Sequence, residues 1–126
     1  MNPTLARWPY VTFLAFACAG FALYRWAPVP AVAQSQVREI TISGNQFAFA
    51  PATIEVQKDD LVKITFSSVD MAHSFTVDSY RIAKRAGAGQ TVVFEFRADQ
   101  TGTFTYYCNL TQDDGCRQMR GQLVVR

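Results

Sequence analysis

The sequence predicts an all-β domain, a sandwich or barrel of short strands, set behind an N-terminal apolar segment. Three observations predict it. From residue 37 onward, apolar and polar side chains alternate with period two in run after run, as half-buried strands do. Clusters of turn-forming residues separate the runs. No amphipathic helical pattern lies among them, and many short strands without such a helix favour a sheet-on-sheet architecture. The 126 residues are enough for one domain, and 49% hydrophobic against 17% charged residues allow a packed core.

The first element is the apolar one. Arg7 precedes an apolar run over residues 8–24, which Arg25 interrupts. About 17 residues is at the short edge of what spans a bilayer. Ala31-Val32-Ala33 then has the small-x-small form of a signal-peptidase site. Residues 1–26 are thus read as a hydrophobic helix that is either a signal peptide or a membrane anchor, and residues 27–36, rich in Pro, Ala and Gln, as a linker. Ala15 stands where a lipobox prefers Leu, which argues against lipid attachment at Cys18. All these readings export residues 34 onward, and with them the domain, residues 37–126.

The strands follow in order. Residues 37–43 place Ile40 and Ile42 on one face; residues 53–56 turn Ile54 and Val56 inward; residues 61–67 offer Val62, Ile64 and Phe66. Residues 73–77 set His73, Phe75 and Val77 on one side. Residues 90–97 set Val92, Phe94 and Phe96 against Val93, Glu95 and Arg97. Residues 103–108 align Phe104, Tyr106 and Cys108, and residues 121–126 carry Leu123 and Val125. Ser43-Gly44-Asn45, Lys58-Asp59-Asp60, Gly87-Ala88-Gly89 and Asp99-Gln100-Thr101-Gly102 supply the turns. Tyr106, two residues before Cys108, reads either as a tyrosine corner tied to the 99–102 connection or as a plain core tyrosine.

Charge narrows the function classes. Beyond the apolar segment 10 basic side chains face 10 acidic ones, so the domain has no electrostatic footprint for nucleic acid. Arg81, Lys84 and Arg85 form the one local basic group and read as a solvated loop. Catalysis is not expected: Cys-x7-Cys is not a Cys-x-x-Cys redox pair, and the chain's single histidine has no nucleophile constellation around it.

The remaining chemistry lies on four residues. His73 opens a strand, Cys108 closes one, Cys116 sits in the loop over residues 109–118, and Met119 opens the last strand. One imidazole, two sulfurs and a thioether are soft donors that favour copper, Cu(I) above all; methionine is a poor zinc ligand. Two cysteines in an exported domain are by default a disulfide candidate. Asp70 is read as a turn former before a site residue, and Asp113-Asp114-Gly115 as the turn of the 109–118 loop.

The stretch Asp70-Met71-Ala72-His73-Ser74-Phe75-Thr76-Val77 resembles the first histidine motif of cupredoxins. More narrowly it is similar to the periplasmic domain of cytochrome c oxidase subunit II and the C-terminal domain of nitrous oxide reductase. Gly102-Thr103-Phe104-Thr105-Tyr106-Tyr107-Cys108, followed by Met119-Arg120-Gly121-Gln122-Leu123-Val124-Val125, is similar to the strands and loop that hold their dinuclear copper centre. That loop reads Cys-x3-Cys-x3-His-x2-Met. On it Cys108 falls on the first cysteine, Gln112 on the second, Cys116 on the histidine and Met119 on the methionine. One bridging thiolate and one imidazole of each pair are kept, so a dinuclear centre is not expected.

The resemblance implies a Greek-key antiparallel β-sandwich of the cupredoxin type. It implies a domain in the bacterial periplasm, anchored to the inner membrane or released, that binds one copper ion through His73, Cys108, Cys116 and Met119. Its role would be electron transfer or copper handling, with a redox protein or a respiratory membrane complex as partner. The alternative is a metal-free structural or interaction domain closed by a Cys108–Cys116 disulfide.

Overall fold

The computed structural model describes residues 36–126; the apolar segment and all but the last residue of the linker lie outside the described residues. Among the described residues nine strands form two sheets that face each other. β1 (Val37–Asn45), β2 (Ala48–Ala50), β4 (Leu61–Ser68) and β7 (Thr91–Arg97) make one sheet, in the order β2-β1-β4-β7. β3 (Thr53–Val56), β5 (His73–Val77), β6 (Ile82–Ala86), β8 (Gly102–Tyr107) and β9 (Arg120–Val125) make the other, in the order β3-β9-β8-β5-β6.

The period-two pattern did its work. Ile42, Val62, Ile64, Phe66, Phe94, Phe75, Val77, Tyr106, Leu123 and Val125 are buried between the sheets. An aromatic cluster of Phe49, Phe66, Phe75, Phe94 and Tyr106 fills the centre, with Phe75 stacked on Tyr106 at 4.8 Å between ring centroids.

Several expectations need correction. The sheets are mixed rather than purely antiparallel, because β1 pairs parallel with β4 and β3 parallel with β9. The chain crosses to the second sheet at β3 before returning as β4 beside β1. Lys84 and Arg85 are not in a loop; they lie on β6, where an edge strand with one solvent face tolerates charge. The Tyr106 hydroxyl does not tie to the 99–102 connection but donates to the Pro51 carbonyl at 2.7 Å, bridging to the β2–β3 junction. The 109–118 loop holds a short helix, α1 (Asp114–Gln118), which Asp113 caps by accepting from the Gly115 N–H at 2.9 Å.

The register puts two sets of connections at opposite ends of the sandwich. The β1–β2 turn, the β4–β5 loop and the β8–α1–β9 connection gather at one end. The β3–β4 turn, the 3-10 turn Asp78–Tyr80 and the β7–β8 connection gather at the other.

Candidate metal centre

All four residues expected at the site come together, and all are buried: His73, Cys108, Cys116 and Met119 are each no more than 2% exposed. They are brought there by β5, by the end of β8 and by α1 with its C-cap. His73 opens β5, where the ladder with β6 fixes it opposite Ala86. Cys108 follows β8 directly, and its N–H donates to the Met119 carbonyl at 3.2 Å. Cys116 is the one buried residue of α1. Met119 caps that helix, its N–H donating to the Cys116 carbonyl at 3.1 Å.

A ring nitrogen of His73 and the two cysteine Sγ atoms all lie within 4.8 Å of one another. Met119 closes the group on the side that faces β1: a Cβ placed on Gly44 would stand 3.1 Å from Met119 Cε and 3.2 Å from His73 Cδ2. Gly44 is therefore a floor on which thioether and imidazole meet. In this state Cys108 and Cys116 are joined in a disulfide, with Cα atoms 5.2 Å apart. The alternative of a disulfide and the alternative of a shared ion thus use the same pair of convergent sulfurs.

The imidazole is oriented from outside. Asp70 Oδ1 lies 2.7 Å from His73 Nε2, and Asp70 Oδ2 accepts the Gln46 N–H at 2.9 Å. Burial pushes the Asp70 carboxyl up, but hydrogen bonds from the Gln46 N–H, from His73 and from the Asp70 and Met71 N–H groups outweigh it. They hold the carboxyl down at about 2. An ionised carboxylate only accepts, so the neutral ring carries its proton on Nε2. In that neutral form Nδ1 presents a lone pair, and it is buried with no hydrogen-bond partner among the described residues. A buried imidazole nitrogen without a partner, beside two sulfurs and a thioether, fits a soft metal ion once the sulfurs are thiolates.

Sequence reasoning missed four contributors. Ser74 and Asn109 each follow a donor and lock the two donor strands together. Asn109 N–H donates to Ser74 Oγ at 2.8 Å, Ser74 Oγ bonds Asn109 Oδ1 at 2.7 Å, and Ser74 N–H points at Cys108 Sγ at 3.3 Å. Their signal was adjacency to the candidate donors. Gly44 and Phe47 act across space from the β1–β2 turn. Phe47 meets His73 edge-on with ring centroids 6.0 Å apart, and no local pattern marks either residue.

The sequence profile of the Cupredoxin-like domain matches residues 12–125. No curated protein matches the chain in sequence. Among solved structures it is similar to a chain of a heme-copper terminal oxidase dimer, at 16% identity and a TM-score of 0.63 over 71% of this chain; it spans 65% of that chain's length. It is similar to the metal-binding domain of the Streptococcus pneumoniae D39 Cu(I)-exporting P-type ATPase CopA, solved with Cu(I), at 19% identity, TM-score 0.60, 71% of this chain and 86% of that one. A third neighbour is subunit II of cytochrome c oxidase, solved as a mixed-disulfide intermediate with a thioredoxin-like protein. The identity there is 16% and the TM-score 0.60, over 71% of this chain and 81% of that one. At these identities the likeness is one of fold.

Proposed function

The chain belongs to the cupredoxin-like domain family, and from that premise we propose that it is an exported copper-handling domain that takes one copper ion, as Cu(I), when its Cys108–Cys116 disulfide is reduced. The observation that carries the reading is the convergence of the His73, Cys108 and Cys116 ligand atoms within 4.8 Å of one another, all three residues buried. The unpartnered His73 Nδ1 supports it. Two thiolates, an imidazole and a thioether suit a soft monovalent cation, whose charge the thiolates neutralise. They suit storage or delivery better than electron transfer, because two thiolates over-stabilise one oxidation state. No catalytic step is assigned to the domain.

The disulfide sets the order of events. A dithiol reductant attacks one sulfur, a mixed disulfide forms, and its second thiol releases the reduced pair. The partner leaves as a disulfide, and Cys108 and Cys116 each gain a proton. Metal binding then displaces those protons. A neighbour caught as a mixed disulfide with a thioredoxin-like protein supports a reductant of that class here. The compartment that fits a disulfide at rest is the bacterial periplasm, and a respiratory membrane complex is the partner that the similar oxidase chains suggest.

The test is a Cu(I) titration of the full chain in mild detergent against a chromophoric chelator, with and without prior reduction. The reduced protein takes up one equivalent, the oxidised protein none, and His73→Ala and Met119→Leu each weaken binding. Failure of the reduced wild type to bind stoichiometrically overturns the proposal. The disulfide itself favours a second reading, a metal-free domain for which the bond is a permanent staple. Alkylation and intact mass on protein taken from its native compartment decide between them: a fully oxidised population under all growth conditions supports the staple.

A further inference from the structure

The β1–β2 turn is a two-residue hairpin in which both central residues, Gln46 and Phe47, have positive φ, 50° and 61°. Such turns ordinarily use Asn or Gly. For an aromatic residue the left-handed region is an outlier, and outliers held by their surroundings gather where function needs them. What holds this one is visible. The Gln46 N–H donates to Asp70 Oδ2, and the other oxygen of Asp70 holds His73. The strained backbone places the Phe47 ring edge-on to His73 on one side. On its other side it rests on Gly115, where a Cβ would come within 2.4–2.6 Å of three ring carbons. Gly115 precedes Cys116 in α1. One side chain thus spans from the strand that carries His73 to the helix that carries Cys116, and Cys108 and Cys116 are each only 2% exposed.

We propose that Phe47 is the lid of the sulfur–imidazole site and Asp70 its latch, so that reagents reach the Cys108–Cys116 disulfide by displacing the hairpin. The inference concerns access to the disulfide and stands whether or not the site takes copper. Asp70 is here a positioning residue: it touches no sulfur and acts through the turn. Removing its acceptor releases a backbone held in an unfavourable region and lets Phe47 swing out. Replacing it by Asn keeps an acceptor for the Gln46 N–H.

The experiment measures disulfide reduction by a phosphine under native conditions and again in concentrated urea, on the full chain in mild detergent. The ratio of the two rates reports protection by the fold. Phe47→Gly and Asp70→Ala are expected to raise the native rate by about tenfold, as loss of one charge-assisted hydrogen bond or its equivalent would. Rates in urea stay equal to wild type, and Asp70→Asn recovers most of the protection. Gly115→Ala gives an independent arm: it leaves the turn untouched but drives the ring off its seat, and it too accelerates reduction. Native rates at the wild-type value for both Phe47→Gly and Gly115→Ala overturn the proposal. So does an Asp70→Asn rate as fast as that of Asp70→Ala.

Discussion

The two ends of the sandwich use the same unusual backbone region for different ends. At the end away from the sulfurs, Asp59 sits at φ 70° and Arg81 at φ 53°. Each stands at a tight reversal, Asp59 between β3 and β4, Arg81 at the close of a 3-10 turn with its N–H donating to Asp78 O. Asp tolerates the left-handed region; in the turn around it Asp60 Oδ2 accepts the Gln57 N–H at 3.0 Å, and the Asp59 N–H donates to the Ala98 carbonyl at 2.8 Å. At the sulfur end the residues in that region are Gln46 and Phe47, and the hydrogen bond that restrains them comes from Asp70, 24 positions away along the chain. At one end Asp59 suits the conformation its turn requires. At the other a turn is held against its preference so that a ring covers a site.

The largest effect is expected where the sulfur end is braced from behind. A Cβ on Gly121 would lie 2.2 Å from Tyr106 Cε2 and Cζ, and Tyr106 is fully buried among the core aromatics. Gly121→Ala therefore overpacks a rigid neighbour and is expected to destabilise the fold by about 2–3 kcal/mol. A urea transition followed by circular dichroism measures it. A loss under about 1 kcal/mol would mean that Tyr106 yields easily and that this end is less tightly braced than its contacts imply.

Tyr106 itself gives the next effect. Burial pushes its hydroxyl up to about 12 from an ordinary value of 10. Between those values the unfolded chain gives up the proton and the folded chain keeps it, so stability falls as pH rises through that window. Below pH 10 the contribution is intact. Tyr106→Phe leaves the Pro51 carbonyl without its donor and is expected to lose about 1–2 kcal/mol at neutral pH. It should also lose less stability than wild type between pH 9 and pH 11.5. Equal alkaline losses in the two proteins would show that the hydroxyl is not held neutral by the core.

How much of this was legible follows the same division. Strand faces were readable because period two writes burial directly into the sequence: Ile54 and Val56, or Leu123 and Val125, needed no partner to be recognised. The convergence of the four candidate donors was legible because their residue types are rare and their spacing fits a known loop. β2 was missed because three residues carry no period, and β6 because its exposed middle, Ala83-Lys84-Arg85, gives only its two ends to the core. The turn at Gln46 and Phe47 was illegible in principle. Neither residue prefers that conformation, and the carboxylate that enforces it belongs to another loop. Asp70, read first as a turn former, proved to link that turn to the imidazole, a role that exists only once β1 and β4 lie side by side.

The smallest effects test the contrast between the ends most directly. Glycine enters the left-handed region without the penalty an L side chain meets there, about 1–2 kcal/mol, and gives part of it back as unfolded-state entropy. Gln46 is exposed, and glycine keeps the N–H that reaches Asp70. Gln46→Gly should therefore raise stability by about 0.5–1 kcal/mol. Asp59→Gly loses only an exposed pair with Lys58 and a residue already at ease in its conformation. Its change should stay within about 0.5 kcal/mol of zero. Equal gains at both positions would mean that the turn over the sulfurs is no more strained than the turn at the far end, and the restraint by Asp70 would then have nothing to oppose. A gain at Gln46 alone locates the strain where the ring has to be held.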